Sequence, residues 1–154
     1  NKHIVFMGFG QDASRVKAIS QTVKNIHFHS AVHPNDVWKY TSSADVGIHM
    51  MDDSCINHLY ALPNKPMEYL NVGLPAIVSN LPEMSSLIID SNAGWVVEVN
   101  SAKQLLRLIN SMEFDEVQNK SKIAIKWSRE NNWEKEALIL YNVYEELGFL
   151  SQID

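Results

Sequence analysis

At 154 residues the chain fits one domain, and a chain of this length buries roughly 70% of its unfolded surface. Its formal charge of −5 argues against a general nucleic-acid binder, which would carry a basic face, but leaves room for a local basic pocket. Cys55 is the only cysteine, so an intrachain disulfide is excluded and a reducing compartment is the simpler reading. No apolar run approaches the roughly 20 residues of a membrane span, and the N-terminus has no signal-peptide character. The chain opens at Asn1 and enters a strand almost at once, as expected of a piece of a larger protein.

The pattern alternates strand and helix, which predicts an α/β, Rossmann-like three-layer domain with a mostly parallel sheet. His3–Gly8 reads as a buried strand ending at a glycine turn, and Ala13–Lys24 as a helix with Val16, Ile19 and Val23 on one face. Asn25–Val32 is a second strand, and Pro34 opens a short helix over Asp36–Ser42. Asp45–Met50 is a third strand. The thirteen residues from Met51 to Pro63 are polar and irregular, long enough to suggest a functional loop. A helix follows from Asn64 to about Val72, stopped by Gly73. Leu74–Ser79 is a fourth strand, Pro82–Asp90 a helix and Gly94–Val99 a fifth strand. Three helices close the chain: Ser101–Ser111, Phe114–Ser128 and Trp133–Leu147. The last carries Trp133, Ala137, Leu140, Tyr141, Tyr144 and Leu147 as one apolar stripe. Trp38, Trp95, Trp127 and Trp133 are expected in the core or between helices.

Gly8-Phe9-Gly10-Gln11-Asp12-Ala13 satisfies the dinucleotide fingerprint G-x-G-x-x-G/A between a strand and a helix. That fingerprint also expects a carboxylate at the end of the next strand. Here the strand ends Ala31-Val32-His33, with Asp36 lying beyond Pro34. A tight turn that needs glycine backbone freedom is one alternative. A turn that also lines a sugar-nucleotide cleft is another.

The stretch Tyr60–Pro82, YALPNKPMEYLNVGLPAIVSNLP, carries the most chemistry. It reads as a loop, a helix start with Asn64 as candidate cap, then Lys65, Glu68, a glycine stop and a buried strand. Unpaired N–H groups and the helix dipole make such a start an anion site, and Lys65 adds a full charge suited to a diphosphate. Pro66 is tolerated in the first turn at the loss of one donor. Glu68, placed by this reading within that turn, can accept hydrogen bonds from two vicinal ribose hydroxyls at once. The competing reading has Asn64 capping, Lys65 solvated and Glu68 complementing the dipole.

This stretch resembles the signature of the C-terminal domain of retaining, GT-B-fold glycosyltransferases of family four. K65-P-M-E-Y-L-N-V-G-L-P-A-I-V-S is similar to that family's x-x-x-E-(A/Y)-(M/L)-A-x-G-x-P-V-V-A-S. N25-I-H-F-H-S-A-V-H, S43-A-D-V-G-I, L81-P-E, and N132-W-E with Tyr141 resemble its other segments, in order along nearly the whole chain. The resemblance implies a donor site built by Gly8, Gly10, Asn64, Lys65 and Glu68. Glu68 would bind the ribose, and Ala31, Val32 and His33 would lie at the nucleobase. Apart from the resemblance, His49 ends strand three, where ligand contacts concentrate in open parallel sheets, which makes it a candidate to approach the sugar. The resemblance further implies transfer of a hexose from a nucleoside diphosphate sugar to a glycan or lipid-linked acceptor, with retention, in polysaccharide biosynthesis. It implies no metal and no cofactor beyond the donor, no nucleic-acid partner, and a cytoplasmic enzyme compatible with peripheral association at the inner face of the membrane. Residues 1–154 would be a single donor-binding domain whose first strand and N-terminal acceptor-binding domain are absent, able to bind but not to turn over. A GT-B-fold sugar-nucleotide epimerase and a non-catalytic nucleotide-binding module are the alternatives.

Two departures from the family stand out. Its first motif glutamate is replaced by Tyr60, so no catalytic residue is assigned. Its basic residues for the phosphates belong to the absent first strand. Other signals are discounted. His27, His29 and His33 lack a complete metal-ligand set, Asp52 and Asp53 read as solvated loop carboxylates, and Cys55 has no evident base partner.

Overall fold

The computed structural model describes residues 2–149, in which strands and helices alternate and every strand pairing is parallel. The chain divides into two compact units, one ending at Tyr40 and the other beginning at Thr41.

The first unit contains strand β1 (Ile4–Gly8), helix α1 (Ala13–Thr22) and strand β2 (Ile26–Ser30). β1 and β2 pair from Ile4 opposite Ile26 to Gly8 opposite Ser30. A 3-10 turn, Pro34–Asp36, then runs into α2 (Val37–Thr41). None of the first unit's described residues is fully buried. Some forty residues enclose little volume, so Val5 remains 63% exposed although it lies in a strand.

The second unit holds β3 (Gly47–His49), β4 (Ala76–Ser79) and β5 (Gly94–Val97), with β4 in the middle. Ala76 aligns with Gly47 on one side and Gly94 on the other. All four residues of β4 are buried, as expected of a central parallel strand covered on both faces. The core gathers around it: Leu70 from α4 (Asn64–Asn71), Leu81, Met84, Leu87 and Ile88 on and beside α5 (Pro82–Ser91), and Ala124 from α7 (Phe114–Glu130). Trp95 joins β5 to α7, its indole N–H donating to Glu116 at 2.9 Å while Lys120 Nζ sits 5.2 Å from the ring centre.

All five predicted strands form within their predicted ranges, and the expected α/β, Rossmann-like class is the one observed. The hydrogen bonding is distributed over two sheets, of two and three strands. The Met51–Pro63 segment is not wholly irregular, since it contains the single-turn helix α3 (Ile56–Leu59). Gly73 ends α4 as expected. At φ +76 it donates to Leu70 O at 3.0 Å, while Leu74 N reaches Tyr69 O at 2.8 Å, a Schellman ending. After α6 (Ala102–Ser111) and α7, helix α8 (Trp133–Glu146) buries none of its residues. Its apolar stripe faces outward, with Trp133 71% exposed. Trp38 is likewise exposed, so of the four tryptophans Trp95 and Trp127 are the packed ones. Among the described residues no helix is long and apolar enough to cross a membrane.

Candidate functional site

The second unit assembles its polar residues where β3 and β4 end, the edge at which open parallel sheets bind ligands. Ser79, fully buried at the end of β4, donates its hydroxyl to Met51 O at 2.7 Å and accepts from Met51 N at 2.8 Å. This pair of hydrogen bonds clamps the loop that leaves β3. His49, the last residue of β3, is half-buried, and its Nε2 is buried with no hydrogen-bond partner. Burial holds its pKa below the ordinary histidine value, and the charge of Lys65 pushes it the same way. His49 and Lys65 therefore lie within electrostatic reach of one another.

Helix α4 presents the other groups. Pro66 and Leu70, four residues apart, are buried, so the opposite face turns Asn64, Lys65 and Glu68 outward, all exposed. The N-cap is Pro63 rather than Asn64: at φ −67 and ψ 153, Pro63 already has the extended backbone of a cap, and Asn64 is the first helical residue. Glu68 accordingly opens the second turn, one residue beyond the turn in which the sequence reading put it. Of the four N–H groups that a helix start leaves unpaired, proline removes two at positions 63 and 66, leaving those of Asn64 and Lys65. The helix is held from below by Tyr69, whose ring leaves no room for a Cβ at Gly47 and whose hydroxyl is 3.5 Å from Ile48 O. Burial raises the Tyr69 phenol pKa, and the Glu68 carboxylate adds to the rise.

The loop from β3 to α3 holds a constellation that sequence reasoning missed. Asp52 Oδ1 accepts from Ser54 Oγ at 2.6 Å, Ser54 N at 3.2 Å and His58 Nδ1 at 2.7 Å. These bonds, the Ser54 hydroxyl foremost, lower the Asp52 pKa to about 2. Asp52 is thus an organised acceptor rather than a merely solvated carboxylate. Asp-x-Ser-x-x-x-His is the signal that was available, a carboxylate with two donors brought round by one helical turn. Cys55 is exposed and precedes α3.

The remaining candidates belong to the first unit. Gly8 and Gly10 stand at φ +149 and +148 with nothing within 4 Å of where a Cβ would be, so backbone conformation and not crowding calls for glycine. They flank Phe9, 92% exposed, on an open depression of about 330 Å³ that Phe6, Phe28 and Val16 also line. Ala31 and Val32 follow β2, and His33 accepts from Asn35 N at 3.3 Å, spending Nδ1 on the start of the 3-10 turn. Asp36, the nearest carboxylate to a dinucleotide ribose position, is bonded to Lys39 at 2.7 Å. His27 Nε2 pairs with His3 Nδ1 at 2.8 Å and His29 Nδ1 with Ser30 O at 2.6 Å.

A family model described as glycosyl transferases group 1 matches residues 1–131. Among solved structures, the chain is similar to the crystal structure of WaaG, a glycosyltransferase involved in lipopolysaccharide biosynthesis, with a TM-score of 0.62 and 19% identity. The match covers 90% of this chain and 38% of that one, so the chain spans well under half the length of that structure. No curated protein sequence matches. At that identity the structural likeness bears on the fold, the parallel α/β arrangement of a GT-B glycosyltransferase. The family rests on the model match, which takes in both sheets and the helix bearing Lys65 and Glu68: this chain belongs to the group 1 glycosyl transferases.

Proposed function

We propose that residues 1–154 are the donor-nucleotide-binding part, the C-terminal half, of a retaining GT-B glycosyltransferase of family four. The whole enzyme would move a hexose from a nucleoside diphosphate sugar to a glycan or lipid-linked acceptor in polysaccharide biosynthesis. The observation that carries this reading is the start of α4, where Lys65 and Glu68 stand three residues apart on the outward face of a helix whose other face is fixed in the core. The two remaining N–H groups, fixed by the helix, and the Lys65 ammonium would supply positive charge for a diphosphate leaving group, whose negative charge grows as the glycosidic bond breaks. Glu68, further along the same face, is suited to accept from both ribose hydroxyls. His49 brings an unpaired ring nitrogen to the same edge of the sheet.

The test is calorimetry of Glu68→Ala with UDP, GDP and ADP. Hydrogen bonds to a charged acceptor are worth about 1.5–3 kcal/mol, so the affinity for the nucleotide that binds should fall at least tenfold, by about 1.4 kcal/mol. The melting temperature should hardly change, because Glu68 is exposed. Unchanged affinity would remove the ribose assignment.

A further inference from the structure

We propose that His58, held by Asp52, is a further ligand-binding residue: its Nε2 accepts a hydrogen bond from a hydroxyl of the sugar being transferred. The inference rests on the donor-site reading above and deepens it by naming the group that meets the sugar.

The argument begins with the protons. An ionised carboxylate only accepts hydrogen bonds, so the hydrogen in the 2.7 Å contact between Asp52 Oδ1 and His58 Nδ1 belongs to the histidine. In the neutral ring this fixes the tautomer and leaves the lone pair on Nε2. Ser54 could suggest a hydrolytic Ser-His-Asp set, but its geometry is wrong for one. The Ser54 hydroxyl points its proton at the same Asp52 oxygen, at 2.6 Å, and its 3.3 Å approach to His58 is to Nδ1, the nitrogen already committed. Ser54 therefore buttresses Asp52 through Oδ1, and the atoms of the cluster left for a ligand are His58 Nε2 and Asp52 Oδ2, of which only the histidine nitrogen is neutral beside a diphosphate. Among the described residues nothing bonds to it, and the side chain is 40% exposed. In that neutral form, a nitrogen with a fixed lone pair suits a hydroxyl donor and rejects an anion.

Placement follows from the clamp. Asp52 is the residue after Met51, whose N–H and C=O are both bonded to buried Ser79. The dyad is thereby fixed to the carboxyl ends of β3 and β4 rather than carried on a free loop. Only Tyr60–Pro63 separates α3, which carries His58, from the start of α4, which carries Lys65. A diphosphate at that helix start, with its ribose further along at Glu68, leaves the glycosyl group on the loop side. Tyr60, 61% exposed, brings no carboxylate there. His58 and Asp52 are the organised polar groups that this loop offers.

The experiment compares nucleotide sugars with the corresponding free nucleotides on the unmodified chain, His58→Ala and Asp52→Asn, using UDP-glucose with UDP, GDP-mannose with GDP, and ADP-glucose with ADP. For whichever pair binds, His58→Ala should weaken the nucleotide sugar by about tenfold, the size of one hydrogen bond, and leave the free nucleotide within a factor of two. Asp52→Asn should weaken the sugar nucleotide less and abolish the single Nδ1–H tautomer in 15N spectra. On the unmodified chain, the His58 Nε2 resonance should shift on titration with the nucleotide sugar and not with the nucleotide, a readout that needs no variant to fold. If free and sugar-bearing nucleotides lose affinity equally, or neither does, or the resonance stays put, the His58 assignment falls while the donor site stands. If no nucleotide binds the unmodified chain, the donor-site reading falls and takes this inference with it.

Discussion

Ser79 shows how one buried hydroxyl fixes the position of several exposed groups. It satisfies both backbone groups of Met51, and Asp52 follows that residue directly while His49 lies two positions before it. Replacing it with alanine leaves those groups without their partner and opens almost no cavity. The expected loss is about 1–3 kcal/mol in chemical denaturation, and a loss below about 0.5 kcal/mol would mean that the clamp contributes little. His49 sets an acid limit on stability. Its folded pKa is depressed below the ordinary 6.5, so the unfolded chain binds the proton more readily. Stability should therefore be full above that value and decline as pH falls from it toward the folded pKa, a slope that His49→Gln flattens. Asp52 acts in a lower window: the support it gives is present above its ordinary 3.8 and is lost as pH falls through about 2. An unfolding midpoint that does not change as pH is lowered past 6.5 would contradict the His49 account. Lys65 and Glu68 could be named as candidates from the sequence because residue type and spacing within a helix suffice for that. The Asp52–His58 contact could not, because it depends on a short helix turning His58 back onto Asp52.

At the scale of elements, α4 decides most of the outcome. Its stop was readable, since a glycine after an apolar run predicts the left-handed residue that Gly73 supplies. Its start was misread by one residue. Asparagine is the better capping side chain, but the fixed backbone of Pro63 already provides a cap's geometry, and local rules weigh side chains more than dihedral angles. The consequence for binding is definite. With prolines at 63 and 66 only two N–H groups are left at the helix start, so on the proposed reading the Lys65 ammonium carries more of the load than at an ordinary helix start. Lys65→Ala should thus weaken UDP or GDP binding strongly and nucleoside binding hardly at all. The variant's affinity should also respond less to salt, because a screened charge has gone. Equal small losses for nucleoside and diphosphate, with an unaltered salt response, would mark Lys65 as solvated only. Helix α3 escaped sequence reading for a simple reason: four residues do not complete enough turns to display a period.

Across the whole molecule, alternation of apolar runs with helical stripes was enough to give the α/β class and all five strands. It did not give their grouping into sheets of two and three, because periodicity reports that a strand exists and which faces it buries, not its partner. The two units differ in how much they enclose: the second surrounds β4 completely, whereas the first has no fully buried described residue. Hydrogen exchange should therefore be slowest at Ala76–Ser79 and markedly faster at Ile4–Gly8 and Ile26–Ser30, since local opening tracks buried contact. Equal protection of both sheets would show that the first is far better supported than its exposure indicates.

The outward stripe of α8 makes the chain an amphiphile in solution. Trp133, Leu140, Tyr141, Tyr144 and Leu147, which share one face, are each 44% or more exposed, while the chain carries a net charge of only −5. Mutual repulsion between copies comes from that modest charge and attraction from the stripe, and the two respond oppositely to solvent. Sulfate or phosphate at high concentration screens the first and strengthens the second, so this chain should cluster in such buffers. Dilute, slightly alkaline, weakly ionic conditions should keep it dispersed, which light scattering would check.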